Sequence, residues 1–158
     1  MRPTTSRIQI KTVYKQEKCE LIVSIISAMN LPPRRGTGEH RNPYAKVFLL
    51  PDRSEMSKRR TKTIHNCNNP LWSQTFLYGN IQWAELQSRL LEVTVWDFDR
   101  FGANDFLGET TISLASSLNS LEAEWYCLNM QKAASSVGAG TSSSRMQPTA
   151  ESLLGKFF

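Results

Sequence analysis

An all-β sandwich of eight short strands is the fold this sequence predicts. Three observations carry it. Apolar and polar residues alternate with period two in one short segment after another. Clusters of Pro, Gly, Asn and charged residues separate those segments and interrupt regular structure. Helical apolar spacing occurs only in brief stretches, at Trp83, Leu86 and Leu90 and near Leu114 to Leu118.

The elements follow in chain order. Ile8, Ile10 and Thr12 alternate with Gln9, Lys11 and Val13, which predicts a strand from Ile8 to Tyr14, closed by a charged turn at Lys15 to Lys18. Leu21 to Ile26 is the densest β-branched run and suits a central core strand. Asn30 to Asn42 is a loop, because Pro32-Pro33 and Gly36-Thr37-Gly38 forbid a ladder. From Pro43 to Leu50, Ala45, Val47 and Leu49 point one way and Tyr44, Lys46 and Phe48 the other. After a polar connection from Pro51 to Ser57, Lys58 to Ile64 is expected as a basic strand with Lys58, Arg60 and Lys62 on one face. An Asn-rich turn from His65 to Pro70 leads to a strand at Trp72 to Tyr78 and a short surface helix at Trp83 to Leu90. Leu91, Val93 and Val95 then share a face in the next strand. Phe106 to Ile112 and Glu124 to Leu128 complete the set, with a helical turn at Leu114 to Leu118 between them.

Composition bounds the function. The chain has 158 residues, room for one domain with a core, and a net charge of +5. With a pI near 9.3, an anionic partner is expected. No apolar run approaches the roughly 20 residues of a membrane-spanning helix, and Met1 to Arg7 lacks the apolar core of a signal peptide. The three cysteines, Cys19, Cys67 and Cys127, are an odd number without C-x-x-C spacing, as expected of free thiols in a reducing cytosol. His40 and His65 fall in expected loops without a paired nucleophile. No Ser-His-Asp set, phosphate loop or H-E-x-x-H occurs, so an enzyme is not expected. Nucleic-acid binding lacks a zinc, helix-turn-helix or RNA-binding signature. Ala133 to Ser144 is nearly all Ala, Ser, Gly and Thr, so residues 132–158 are expected to form a flexible tail. Its apolar end, Leu153 to Phe158, is either a docking segment or the cut end of a longer protein, the second being preferred.

The chemistry concentrates in Val95 to Glu109. Asp97 and Asp99 lie two apart and Asp105 can fold back across the loop tip. Three carboxylates so placed repel one another unless a cation neutralises them, and hard oxygen ligands suit calcium.

This acidic stretch resembles the third calcium-binding loop of C2 domains. Asn42-Pro43-Tyr44 through Pro51-Asp52, Lys58 through Thr63, and Asn69-Pro70-Leu71-Trp72 resemble further family blocks in family order, so residues 6–131 are identified as a C2 domain. The resemblance implies two four-stranded sheets with three loops at one end, in the synaptotagmin-like connectivity. It also implies a calcium site of five aspartates, of which only Asp97, Asp99 and Asp105 are present. Asn42 replaces one first-loop aspartate, Arg35 or Gly36 stands at the other, and Arg34, Arg35 and Arg41 bring positive charge. The site is incomplete, and calcium binding is expected to be weak or absent, with no other cofactor. Either Arg34 or Arg35 pairs with the third-loop carboxylates in place of the ion, or these charges are all solvated and point apart.

The family's sheet would also gather Tyr44, Lys46, Arg60, Lys62 and Trp96, with Lys58 beside them, on one concave face. That set resembles the family's lysine-rich phosphoinositide site, Arg60 replacing a lysine. The alternative is an edge strand protected from aggregation by its charge. Arg34, Arg35 and Arg41 offer a second anionic contact, and Phe101 either inserts into a bilayer or packs under its own loop. The first half of the chain resembles the first C2 domain of RIM-type active-zone scaffolds, while the acidic loop resembles the piccolo type. The resemblance therefore implies a cytoplasmic, peripheral membrane module at the presynaptic active zone. It would bind anionic phosphoinositide membrane largely without calcium and support vesicle docking and exocytosis. Two other readings stay open: a protein-interaction domain contacting channel or fusion-machinery components, and a weakly calcium-dependent phospholipid binder.

Overall fold

The computed structural model describes residues 5–118 and 120–130. The expected tail, residues 132–158, lies outside the described residues. Eight strands form two four-stranded antiparallel sheets packed face to face. One sheet has the order β5-β2-β1-β8, from Leu71–Tyr78, Glu20–Met29, Arg7–Lys15 and Glu124–Cys127. The other has the order β4-β3-β6-β7, from Arg59–Arg60, Pro43–Leu50, Leu90–Asp97 and Asp105–Ser113. Short helical turns α1, Trp83–Leu86, and α2, Leu114–Ser117, sit in connections. No described helix is long and apolar enough to cross a membrane.

Period-two alternation explains the core. Ile8, Ile10, Leu21, Val23 and Ile25 point inward from the first sheet. Ala45, Val47, Leu49, Leu91, Val93 and Val95 meet them from the second, and none is more than 1% exposed. Burial of each large aliphatic side chain is worth about 1.5–3 kcal/mol, so the inward rows fix the register and leave the alternate residues to face outward. Between β6 and β7 the register slips by a bulge at Val95/Trp96, opposite Gly108. Gly108 has φ +145°, and a Cβ there would meet the Leu128 Cβ at 2.9 Å. The missing side chain lets the segment after β8 close on Glu109 through an isolated bridge to Asn129.

Two sequence expectations are corrected. The basic strand expected over Lys58 to Ile64 shrinks to Arg59–Arg60, which pair with Val47 and Lys46. On either side of that pair, hydroxyls replace the backbone acceptors for the β3 N–H groups, while the Thr61 N–H still reaches the Ala45 carbonyl at 2.9 Å. The Leu49 N–H donates to the Ser57 hydroxyl at 2.7 Å and the Ala45 N–H to the Thr61 hydroxyl at 2.8 Å. The Lys62 N–H turns away to the Gln74 side chain of β5. The helix expected over Trp83 to Leu90 stops at Leu86, because Leu90 pairs with Leu50 and Ser113 as the first residue of β6. Strand pairing overrides local helical spacing there.

The register also places the loops. Pro43, Asp97 and Asp105 stand opposite one another across β3, β6 and β7. The segments 30–42 and 98–104 therefore leave the sheet at the same end. Segment 61–70 joins them, with Cys67 N–H donating to the Arg41 carbonyl at 2.8 Å and Leu31 N–H to the Asn68 carbonyl at 3.0 Å.

Candidate functional site

At this end the charges are paired internally. Asp97, the last residue of β6, is 1% exposed. Its Oδ1 accepts the Asn42 backbone N–H at 2.7 Å. Its Oδ2 accepts from Arg41 at 3.2 Å and forms an ion pair with Arg34 at 3.0 Å. Arg41 is itself 7% exposed. The same Nη1 lies 3.2 Å from Asp105 Oδ2, Nε donates to the Pro32 carbonyl at 2.7 Å, and Nη2 donates to the Pro33 carbonyl at 3.2 Å. One guanidinium thus ties the first loop to β6 and β7. A buried charge is tolerated only when paired and hydrogen-bonded in this way.

This donor set does not fit calcium, which takes six to eight oxygens. Both Asp97 oxygens accept hydrogen bonds, and the Asp105 oxygen nearest the cluster accepts from Arg41. Asp99 Oδ1 accepts the Phe101 N–H at 2.9 Å within its own turn. Asn42 Oδ1, the neutral oxygen that could have joined a metal, accepts the Asn66 N–H at 2.8 Å. Among the described residues no three His, Cys, Asp or Glu side chains form a group able to hold a metal ion. Of the two arginines expected to reach the carboxylates, Arg34 does so, while Arg35 is exposed. The anchoring role of Arg41 was not expected. Its signal was its position, one residue ahead of Asn42, whose backbone meets Asp97 at the end of β6 and Phe98 just beyond it. Phe101 projects from the loop with 90% of its surface exposed, next to the Arg100 guanidinium at 5.5 Å.

The outward face of the β4-β3-β6-β7 sheet holds a second cluster. Cross-strand register places Tyr44 beside Trp96 and Phe106, and Lys46 beside Arg60 on one side and Thr94 on the other. The Arg60 guanidinium lies 3.8 Å from the centre of the Tyr44 ring, and the Lys46 ammonium 4.8 Å from the Trp96 ring. Such cation–π contacts are worth about 0.5–1 kcal/mol at exposed sites. They also pre-position the charges. Trp96 Nε1 donates to the Thr94 hydroxyl at 2.8 Å, and its ring meets Phe106 edge-on at 5.4 Å.

Three details differ from the expected constellation. Tyr44 faces outward but is only 7% exposed, because Arg60 covers its ring and Asn104 donates to its hydroxyl at 2.8 Å. Lys58 and Lys62 share no ladder with Arg60. Lys58 lies 3.7 Å from Glu55, and Lys62 is exposed where the chain turns toward β5. The row Arg60–Lys46–Thr94 ends in Glu109, a carboxylate 6% exposed that sequence reasoning did not place in the site. The alternation of β7 alone put it there, but the bulge beside Gly108 shifts the register that a reader would have counted. The face is therefore basic along β3 and β4 and acidic toward β7. The β4 segment is anchored from below by Tyr78, whose hydroxyl donates to the Ser57 carbonyl at 2.7 Å and whose ring lies 4.1 Å from the Arg59 guanidinium. Burial raises the Tyr78 phenol well above its ordinary value of 10.0, against a smaller opposing pull from Arg59.

Known proteins share this fold. The family model described as "C2 domain" matches residues 19–128. The chain is 43% identical over 128 residues to rat regulating synaptic membrane exocytosis protein 2, covering 80% of this chain and 8% of that protein. It is 39% identical over 155 residues to mouse protein piccolo, covering 92% of this chain and 3% of the other. The crystal structure of the first of the RIM C2 domains (domain A) from Drosophila superposes with a TM-score of 0.76 at 52% identity, covering 80% of this chain and all of that one. The chain thus spans less than a tenth of the length of either curated relative.

Proposed function

This chain belongs to the C2 domain family, and from its likeness to the first C2 domain of RIM proteins we propose that residues 6–131 act as a non-enzymatic module of a presynaptic active-zone scaffold. The module binds anionic phospholipid, with phosphoinositide headgroups as the favoured class, independently of calcium. In that role it holds its parent protein at the cytoplasmic face of the active zone and supports vesicle docking and exocytosis.

One observation carries the reading. The two charge clusters are used differently: Arg34 and Arg41 are neutralised by Asp97 and Asp105, while Arg60 is exposed beside Lys46 on the sheet face. A site that has filled its carboxylates with guanidinium has no use for a divalent bridge. The cations on the sheet then meet phosphate directly. Arg60 adds bidentate geometry that a lysine lacks. Each basic side chain near an anionic surface contributes about 1 kcal/mol, less as salt rises. Arg35 and the exposed Phe101 would touch the same bilayer from the loop end.

Co-sedimentation with phosphoinositide-containing vesicles, in calcium and in chelator, tests this. Equal binding in both conditions, lost in the Arg60→Ala/Lys62→Ala variant, is expected. Binding that requires calcium would overturn the reading. A second reading is a protein-interaction domain, for which channel or fusion-machinery components are the expected partners. The buried Tyr44 and the carboxylate of Glu109 in the basic row favour it, since a row of mixed sign suits a protein surface better than a uniformly anionic one. No vesicle binding in either condition would select it.

A further inference from the structure

We propose that Thr37 is a phosphoacceptor for a basophilic protein kinase, and that its phosphate docks on the arginine cluster of the same loop. Two independent observations support this, one concerning recognition and one concerning where the phosphate would go.

Thr37 sits at the tip of a small closed turn. Arg34 N–H donates to the Glu39 carbonyl and Gly38 N–H to the Arg34 carbonyl, both at 2.9 Å. Gly36 and Gly38 have φ of +87° and +73°, and nothing approaches within 4 Å of where their Cβ atoms would stand. The tip therefore stands clear in solvent, and Thr37 is exposed. Its hydroxyl oxygen accepts one hydrogen bond from the Glu39 N–H at 3.2 Å, easily broken in an exposed turn. Arg34 and Arg35 precede it by three and two residues. Kinases distinguish substrates by such charge patterns, and a groove lined with carboxylates reads a pair of guanidiniums just ahead of the acceptor.

The fold discriminates among the threonines that follow basic residues. Thr61 comes directly after Lys58-Arg59-Arg60 but is 3% exposed, and its hydroxyl both accepts from Ala45 and donates to the Lys62 carbonyl. The Thr63 hydroxyl accepts from Arg60 at 3.0 Å. Thr37 carries no such restraint from the sheet.

The second observation is the cleft. Thr37 lines an open cleft with Arg34, Arg35, Arg41 and Asp105. A phosphate attached at Thr37 carries about −1.5 to −2 charges at neutral pH, and three guanidiniums border the same space. Arg41 is held by four acceptors and stays. Arg35 is exposed, and of the two paired arginines Arg34 is the one able to move: its side chain is 31% exposed, and Asp97 keeps Arg41 and the Asn42 N–H without it. The transfer itself uses MgATP. The Thr37 Oγ1 attacks the γ-phosphorus, the bond from that phosphorus to the bridging oxygen breaks, ADP leaves, and the hydroxyl proton passes to the kinase's carboxylate base. Modification thereby reverses the sign of the loop tip and draws Arg34 away from Asp97.

The test incubates the full chain with MgATP and the catalytic subunit of a kinase that selects arginine two and three residues before its acceptor. Tandem mass spectrometry is expected to find phosphate at Thr37, incorporated at least tenfold more slowly in Arg35→Ala. Absence of phosphate from Thr37, or an unchanged rate in that variant, overturns the site. In the phosphorylated protein the Arg34 Nε–Hε NMR signal is expected to shift while that of Arg41 stays. An unmoved Arg34 signal overturns the docking.

Discussion

Arg41 and Arg60 border the same strand, β3, and are used in opposite ways. Arg41 is 7% exposed and turns its guanidinium wholly to the protein: to two carbonyls of its own loop and two carboxylates across the sheet end. Arg60 is exposed and lies flat over Tyr44, giving one N–H to Thr63. The first is structural, because a buried charge that loses its partners leaves uncompensated charge behind. The second is available, because a ring holds a guanidinium in place without saturating its hydrogen-bonding edge. Charge count alone treats the two as equal; burial and acceptor geometry separate them.

Removing Arg41 has the largest expected effect. Arg41→Ala takes one guanidinium from Asp97, which is 1% exposed in the intact protein, and frees two carbonyls. A loss of about 3 kcal/mol is expected from chemical denaturation. Calcium at millimolar concentration should recover part of the melting temperature, since the variant releases the Asp105 oxygen and removes one of the two guanidiniums from Asp97 Oδ2. On the sheet face the expected effect is on binding rather than stability. Arg60→Ala/Lys62→Ala should weaken vesicle binding roughly thirtyfold, about 2 kcal/mol for two cations, with the melting temperature nearly unchanged. Arg34 sharpens the contrast from between the two cases. Its side chain is 31% exposed, so Arg34→Ala should cost about 1 kcal/mol or less in the same denaturation assay.

The smallest effect at neutral pH concerns the anchor beneath β4. The Tyr78 phenol ionises less readily folded than unfolded, so it contributes stability in full below pH 10 and loses it as pH rises above its unfolded value of 10.0. Melting temperatures from pH 7 to 11 should stay level on this account up to about pH 9 and fall beyond it, less steeply in Tyr78→Phe.

Strands β2, β3 and β6 were legible because their inward rows are largely aliphatic. Leu91, Val93 and Val95, or Ala45, Val47 and Leu49, declare a face without knowledge of the partner strand. The loop carboxylates were legible as a cluster, and Arg34 as one way to satisfy them. What sequence did not show depends on long-range partners. Arg41 reads as one more loop cation until the carbonyls of Pro32 and Pro33 are seen to fold around it. Tyr44 reads as an exposed aromatic until Arg60 and Asn104 cover it. The shortening of β4 rests on two hydroxyls, Ser57 and Thr61, taking the place of backbone acceptors. Period-two alternation cannot register that substitution.

Guanidinium occupies the space between the loop carboxylates that a divalent ion would need. A calcium titration followed by backbone amide NMR tests it directly. Amides from Asp97 to Asp105 are expected to show no saturable shift as calcium rises through the micromolar range; saturable shifts there at low micromolar calcium would contradict it.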